Sequence, residues 1–439
     1  MISKTAAVLT LGCRLNQADS ALIQSRLRKM GFQLVSAENA DASPNVIVVN
    51  SCAVTATALK KSMQALRSIR SENPQSFLIF TGCAATLERK KLEDCPEIDL
   101  LLPNERKAEL ETLLPRYLAG LEPPADVPEK KTKALPEGVY REAALTFTPF
   151  KTRATLKIQD GCGNRCSYCV VPRVRGPERS RELAEVLTDF RALVKAGFRE
   201  IVLSGCNLCR YRCGKTRLPE LLETLLKEPG DWRIRLGSAE PGEVLPDVLS
   251  VMAGSQGRIC QFLHMPLQHG SDAVLKIMDR YCLTEEYASY AELARKRMPA
   301  IHLGTDIIVG HPGETEALFR ESVRFLESMR FANIHIFPYS PRPDTPASAM
   351  EQIPRAAVDA RLEKMKALKA DLAARFMQSL EGKEETVIAE LRRGPALWEG
   401  WSGNYVRTQV VTRSAGQGSL VKVRFGKVLP SGAVSAEEI

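Results

Sequence analysis

Ala154-Thr155-Leu156-Lys157-Ile158-Gln159-Asp160-Gly161-Cys162-Gly163-Asn164-Arg165-Cys166-Ser167-Tyr168-Cys169 is the stretch on which the reading of this 439-residue chain turns. It opens with a short apolar run, Ala154–Ile158, of strand type. At Gly161 it passes into three thiols spaced Cys162-x3-Cys166-x2-Cys169. Three thiolates on one short loop each hold one iron of a [4Fe–4S] cluster and leave the fourth iron to a ligand that is not protein. Zinc needs a fourth ligand, and no His or Cys stands at zinc-finger spacing beside this loop. A cluster loop directly after a strand belongs on the carboxyl edge of a parallel α/β sheet, where such folds keep their ligands.

Outward from that loop the pattern continues. Six strand-like runs, near Ala154–Ile158, Glu200–Ser204, Arg233–Gly237, Gln261–Met265, Leu303–Val309 and Ile334–Tyr339, alternate with helical stretches such as Leu183–Ala196 and Ala317–Ser328. The alternation predicts a parallel α/β domain, open or rolled into a barrel, with fewer units than an eight-fold barrel. Toward the N-terminus, Ala6–Leu11, Val46–Asn50 and Phe77–Thr81 are each followed by Gly or Ser, then Cys, then a helical segment. That predicts an open parallel sheet with Cys13, Cys52 and Cys83 just past its strand ends, converging on one point. The competing reading is three unrelated buried thiols, and it leaves the threefold recurrence without a cause. Cys206, Cys209 and Cys213 form a third group, read as loop or surface thiols ahead of an extra metal site. Cys95, Cys260 and Cys282 stand alone and read as structural.

Residues 119–150, rich in Pro, Glu and Lys, read as a linker. A helical segment, Arg355–Leu380, precedes a change of character near Glu384. There, β-branched alternation cut by Gly403, Gly416, Gly418 and Gly426 predicts a small antiparallel β-barrel. The expected domains are 1–118, the linker, 151–380 and 381–439.

No segment reaches the roughly 18 apolar residues of a membrane span, and the short apolar run before Cys13 reads as a strand and not as a signal. A cytoplasmic location is expected. Twelve cysteines in a chain without marks of secretion point to metal or catalysis, not to a disulfide framework. The net charge of +9 favours a polyanionic partner only weakly. Arg173, Arg175, Arg179 and Arg181 crowd the segment after the cluster loop. They read either as a solvated turn partnered by Glu178 and Glu182 or as contacts guiding RNA phosphates, with Lys422, Arg424 and Lys427 of the barrel as matching contacts. His264, His269, His302, His311 and His335 read as structural.

At these residues the chain resembles the radical S-adenosylmethionine methylthiotransferase family over nearly its whole length. The likeness rests on Leu11-Gly12-Cys13-Arg14-Leu15-Asn16-Gln17, Asn50-Ser51-Cys52, Thr81-Gly82-Cys83, Ile158-Gln159-Asp160-Gly161-Cys162, Cys166-Ser167-Tyr168-Cys169 and Arg175-Gly176. Pro266-Leu267-Gln268, Asp306-Ile307-Ile308-Val309-Gly310 and Pro312-Gly313-Glu314-Thr315 add to it. The resemblance implies an N-terminal domain holding an auxiliary [4Fe–4S] cluster, a partial (β/α)6 barrel and a terminal TRAM domain. It implies that Cys162, Cys166 and Cys169 carry the catalytic cluster, whose open iron binds S-adenosylmethionine, and that Cys13, Cys52 and Cys83 carry the second. Tyr168, Ser204, Gly205, Asn207, Glu240, Val309 and Gly310 would contact S-adenosylmethionine. Leu11–Asn16, Gly205-Cys206-Asn207-Leu208 and Phe337–Pro343 resemble the branch of MtaB type. That branch converts N6-threonylcarbamoyladenosine beside the tRNA anticodon into its 2-methylthio derivative. A tRNA substrate, an electron donor such as a reductase or flavodoxin-like protein, and a sulfur donor follow as partners. The alternatives are a methylthiotransferase acting on isopentenyladenosine or on a ribosomal-protein aspartate, and a non-enzymatic iron–sulfur or RNA-binding protein. Cys206, Cys209 and Cys213 depart from the family pattern.

Overall fold

Val46–Ser51 is buried at every position, as a strand covered by helices on both faces must be. In the computed structural model, which describes residues 4–37, 43–121, 137–142, 144–145 and 151–439, it is the centre of a five-stranded parallel sheet. The strands are β1 (Thr5–Thr10), β2 (Gln33–Leu34), β3 (Val46–Ser51), β4 (Phe77–Gly82) and β5 (Leu100–Pro103), in the order β2-β1-β3-β4-β5. Helix α1 (Arg14–Lys29) follows β1. Helix α2 (Ala56–Glu72) follows β3 and begins where Thr55 Oγ1 accepts the amide of Ala58 at 3.1 Å, satisfying one of the free donors of the first turn. Helix α3 (Cys83–Leu87) starts directly after β4. Thr10 lies opposite Asn50 and Asn50 opposite Thr81, so the carboxyl ends of β1, β3 and β4 stand side by side.

Part of the expected linker is ordered structure. Val139–Tyr140 (β6) pairs in parallel with Arg179–Arg181 (β9), which pairs antiparallel with Gln159–Asp160 (β8). Residues 122–136, 143 and 146–150 lie outside the described residues. The central domain has two three-stranded parallel sheets. One holds Ala154–Lys157 (β7), Glu200–Ser204 (β10) and Arg233–Leu236 (β13), ordered β13-β10-β7. The other holds Phe262–His264 (β14), His302–Val309 (β15) and Asn333–Pro338 (β16), ordered β14-β15-β16. Parallel bridges Ile234↔Ile259 and Ser238↔His264 join the two into one curved wall of six strands. Each strand ends within a residue or two of its predicted run. A small hairpin, Arg212–Cys213 (β11) and Thr216–Arg217 (β12), projects from the connection after β10.

The C-terminal strands Glu384–Arg392 (β17), Leu397–Ser402 (β18), Arg407–Val411 (β19), Leu420–Val428 (β20) and Val434–Glu438 (β21) close a barrel in the order β17-β18-β19-β21-β20. An antiparallel barrel was expected, and four junctions obey; β19 and β21 run parallel. A ring with an odd number of strands cannot alternate direction all the way round, so one junction must be parallel.

Two buried ion networks fix the domains together. Asp19 of α1 takes Lys107 at 2.8 Å, Lys157 of β7 at 2.8 Å and Arg175 at 3.1 Å, tying the N-terminal sheet to the six-stranded wall. On the opposite side, Glu200 pairs with Arg233 at 2.6 Å and Arg235 at 2.7 Å. Those guanidiniums donate onward to the backbone carbonyls of Thr386, Trp401, Ser402 and Gly403, fastening the small barrel. The paired geometry is what allows these charges to be buried at all.

Candidate iron–sulfur and substrate site

The Cys162 loop depends on a glycine. Gly161 has φ +73°, and a Cβ there would fall 1.9 Å from the carbonyl oxygen of Pro177, so only glycine lets the two backbones pass. Beyond it the loop is held by hydrogen bonds from Cys162 N to Gly176 O (3.2 Å), Ser167 N to Met278 O (2.9 Å) and Cys169 N to Cys166 O (3.0 Å). Donors also face the sulfurs: Val171 N lies 3.4 Å from Cys169 Sγ, and Arg280 Nη1 lies 3.7 Å from Cys166 Sγ. Burial pushes the Cys169 thiol up to about 12 and raises Cys162. Bare, these thiols keep their protons at neutral pH; iron binding would release them.

The second thiol set is built at the aligned strand ends. Cys13 follows β1, Cys52 follows β3 and Cys83 opens α3. Gly12, at φ +98°, leaves the space that Cys52 fills, since a Cβ on it would come within 2.6 Å of the Cys52 Cβ and 2.7 Å of its Sγ. Asn16 ties the three turns together, donating to Leu11 O and Ser51 O at 2.8 Å each and lying 4.0 Å from Cys83 Sγ. Asn104 Nδ2 adds a donor 3.7 Å from Cys83 Sγ. Burial pushes Cys52 up to about 11. The donor set fits a cluster on each side: three thiols, amide or guanidinium donors beside them, and no competing carboxylate ligand among the described contacts.

Both sets open on one cavity of about 650 Å³, bordered by Cys13, Cys83, Cys162, Cys166 and Cys169, with Cys52 buried just behind. Of the residues expected at S-adenosylmethionine, Tyr168, Ser204, Gly205 and Glu240 line it. Glu240 is held by Arg280 at 2.6 Å and by the Tyr281 hydroxyl at 2.9 Å. Asn207, Val309 and Gly310 sit behind the wall. Asn207 Oδ1 accepts the amide of Cys209, Val309 is core, and the Gly310 amide points at the Glu314 carboxylate. Ile308 and Tyr339 occupy the wall at that edge.

The basic residues divide. Arg175 and Arg181 are buried and are corrected from RNA contacts to structural ones: Arg175 is enclosed by Asp19 and Asp160, and Arg181 lies 2.7 Å from Asp189. Arg173, on Asp344, and Arg179, 3.6 Å from Asp160, keep substantial exposure. Lys422, Arg424 and Lys427 are exposed on β20, with Arg424 beside Glu384. Cys206, Cys209 and Cys213 do not share an environment. Cys206 is in the cavity wall 3.9 Å from Asp160 Oδ1, Cys209 is in the core, and Cys213 is in the β11–β12 hairpin.

Sequence reasoning missed several wall residues: Arg14, Phe262, Gln268, Arg280, Asp306 and Tyr405. Of the histidines read as structural, His269 and His311 are buried among hydrogen bonds, whereas His264, His302 and His335 face the cavity.

Comparisons with known proteins agree with this geometry. Residues 5–103 match the uncharacterized protein family UPF0004, and residues 156–326 match the radical SAM superfamily. The threonylcarbamoyladenosine tRNA methylthiotransferase MtaB of Thermotoga maritima is 33% identical, covering 96% of this chain and 94% of the relative. That decides the family. This chain is a member of the radical SAM methylthiotransferase family. Its membership brings S-adenosylmethionine and an iron–sulfur cluster as cofactors. The MtaB of Bacillus subtilis is 31% identical over the same shares. The tRNA-2-methylthio-N(6)-dimethylallyladenosine synthase of Carboxydothermus hydrogenoformans is 34% identical over 89% of each chain, so identity alone does not separate the two kinds of relative. Among solved structures, the radical S-adenosylmethionine methyltransferase TsrM of Kitasatospora setae shares the fold, with a TM-score of 0.57 at 15% identity, covering 91% of this chain and 77% of that one. No helix among the described residues is long and apolar enough to cross a membrane.

Proposed function

We propose that this chain is a tRNA methylthiotransferase that converts N6-threonylcarbamoyladenosine beside the anticodon into its 2-methylthio derivative. The observation carrying this reading is that two separate three-thiol sets, from two domains, open on one cavity. We assign Cys162, Cys166 and Cys169 to the cluster that binds S-adenosylmethionine, and Cys13, Cys52 and Cys83 to a second cluster beside the target base. When bound, these cofactors supply the electron, the radical that removes hydrogen from the base, the sulfur and the methyl group.

The chain's own residues position and shield. Glu240, oriented by Arg280 and Tyr281, offers acceptors to a ribose or amino group. Tyr168 covers one side of the cluster loop, and the Asp19 network holds the two thiol sets in a fixed relation. Arg173, Arg179, Lys422, Arg424 and Lys427 are the proposed phosphate contacts that bring the anticodon loop to the cavity mouth. The protein is expected to act in the cytoplasm, supplied by a separate electron donor and a sulfur donor.

The test is anaerobic reconstitution with iron and sulfide, followed by reaction with S-adenosylmethionine, dithionite and tRNA bearing threonylcarbamoyladenosine. Digested nucleosides are then read by mass. The 2-methylthio derivative is the expected product. Cleavage of S-adenosylmethionine with that nucleoside unchanged would move the reading to dimethylallyladenosine, whose 2-methylthio derivative stands in the name of the Carboxydothermus relative.

A further inference from the structure

Among the described residues, arginine is the only basic residue type, histidine aside, in the cavity wall, and its three arginines are not equivalent. Arg175 is enclosed by Asp19 and Asp160, and Arg280 is paired with Glu240. Arg14, at the start of α1 next to Cys13, has no carboxylate or hydrogen-bond partner among the described residues. Its guanidinium lies over two aromatic rings, 5.1 Å from the centroid of Tyr405 and 5.6 Å from that of Phe262. Trp401 stacks behind Tyr405, with ring centroids 4.6 Å apart and planes 20° from parallel.

From Phe262 the same face of β14 leads to His264. His264 Nε2 and His335 Nδ1 both meet Asp306 Oδ1 at 3.1 Å, and the two imidazole centroids are 5.1 Å apart. All three side chains border the cavity, and the other edge of the His335 ring is open, with 49% of its side chain exposed. Burial alone would push the Asp306 carboxyl up, but the two imidazole hydrogen bonds outweigh it and hold the group below the usual carboxylate range. This end of the cavity therefore offers an unpartnered cation, an aromatic shelf and a pre-oriented polar edge.

We infer that Arg14 and the His264–Asp306–His335 array form the subsite that reads the substituent on the exocyclic nitrogen of the target adenosine, selecting one that bears a carboxylate and a hydroxyl over an apolar one. The inference rests on the function proposed above and deepens it. A carboxylate on the substituent gives Arg14 the paired partner that the protein withholds. A hydroxyl finds an acceptor or donor at the open edge of His335. An apolar prenyl group placed there would strip water from Arg14 and return nothing, which is how a polar site rejects an apolar analogue. The terminal barrel, through Tyr405, is then part of the specificity pocket as well as an RNA-binding surface.

The experiment measures binding of the full chain to three anticodon stem–loops, carrying threonylcarbamoyladenosine, dimethylallyladenosine or plain adenosine at the same position. Wild type should favour the first by about tenfold or more, the discrimination expected of one charged hydrogen-bonded contact. Arg14→Gln and His335→Leu should reduce that preference toward one, and Arg14→Lys should recover part of it. Circular dichroism and the thermal midpoint identify any variant that has not folded, and Arg14→Met, which also removes the charge, then serves in place of Arg14→Gln. A preference that survives both variants, or losses equal for all three stem–loops, would overturn the subsite. So would a stoichiometric divalent metal held by wild type and lost in Asp306→Asn. Methylthiolation of the threonylcarbamoyl substrate by wild type, measured separately, keeps a failure of this inference distinct from a failure of the proposed function.

Discussion

Replacing Asp19 by alanine tests the join between the two thiol-bearing domains. The Asp19 side chain is 2% exposed and neutralises three cations, which differ in what remains to them. Lys157 keeps Glu142 at 2.5 Å and Asp160 at 3.5 Å, and Arg175 keeps Asp160 at 3.2 Å and the Asn16 side chain at 2.5 Å. Among the described residues, Lys107 keeps only Asn50 Oδ1 at 3.4 Å. The penalty therefore concentrates on one buried ammonium, and removing its partner costs about 3–5 kcal/mol. Spread over a domain-sized unit, that lowers the thermal midpoint by about 6–20 °C. The assay is circular dichroism of the apo chain during heating, with hydrogen exchange at α1 and β7 to locate the loss. Glu384→Ala, which breaks the exposed Arg424 pair, is the control and should leave the midpoint in place. Burial alone would raise the Asp19 carboxyl, but Lys107, Lys157 and Arg175 outweigh it and hold it well below 3.8. Its stabilisation is therefore complete above that value and is lost as pH falls through the lower, folded-state value. A midpoint within about 2 °C of wild type, less than the shift expected from 1 kcal/mol in a unit this size, would refute the reasoning.

Other expected outcomes follow from the same contacts. Gly12→Ala should displace Cys52 and lower the iron retained after reconstitution from about eight toward about four per chain, read by iron analysis. Burial, with Arg235 nearby, depresses His302 from 6.5 to about 3, so the folded chain resists protonating it. Its contribution is present above pH 6.5 and declines from there toward pH 3, and His302→Gln should flatten denaturation midpoints measured across that window. Reversing Lys422, Arg424 and Lys427 to Glu should weaken tRNA binding and reduce the salt dependence by roughly three counterions. Arg175→Glu and Arg181→Glu should instead lower stability, since both side chains are buried in ion pairs.

Much of this architecture was legible because most strands of the five-stranded sheet and of the six-stranded wall are short runs with a turn residue behind them, whereas the edge strands β2 and β5 were not among the runs read. Val46–Asn50 and Glu200–Ser204 announce themselves in that way, and the Cys162 loop is marked by its spacing alone. The recurrence of Gly or Ser before Cys pointed to the second thiol set. The remainder depends on packing between distant segments. Arg175 and Arg181 look like a basic surface until Asp19 and Asp189 enclose them. His264 and Asp306 alternate along strands whose inner face could as well have been filled with core side chains. Tyr405 reaches the cavity only because Arg233 and Arg235 dock the terminal barrel against the six-stranded wall. Arg14 stands in the motif Leu11–Asn16, but its place in the cavity is not legible there, since its neighbours across the cavity are Phe262 and Tyr405. The parallel β19–β21 junction follows from closing five strands, which no alternation pattern records.

The most direct test of the central claim, that two thiol sets serve one reaction in one cavity, is the reconstituted triple variant Cys13→Ala, Cys52→Ala, Cys83→Ala. It is given S-adenosylmethionine, reductant and tRNA bearing threonylcarbamoyladenosine, and 5′-deoxyadenosine and the tRNA nucleosides are quantified together. The account predicts continued formation of 5′-deoxyadenosine with no 2-methylthio nucleoside. Methylthiolated tRNA from that variant at the wild-type yield would contradict it.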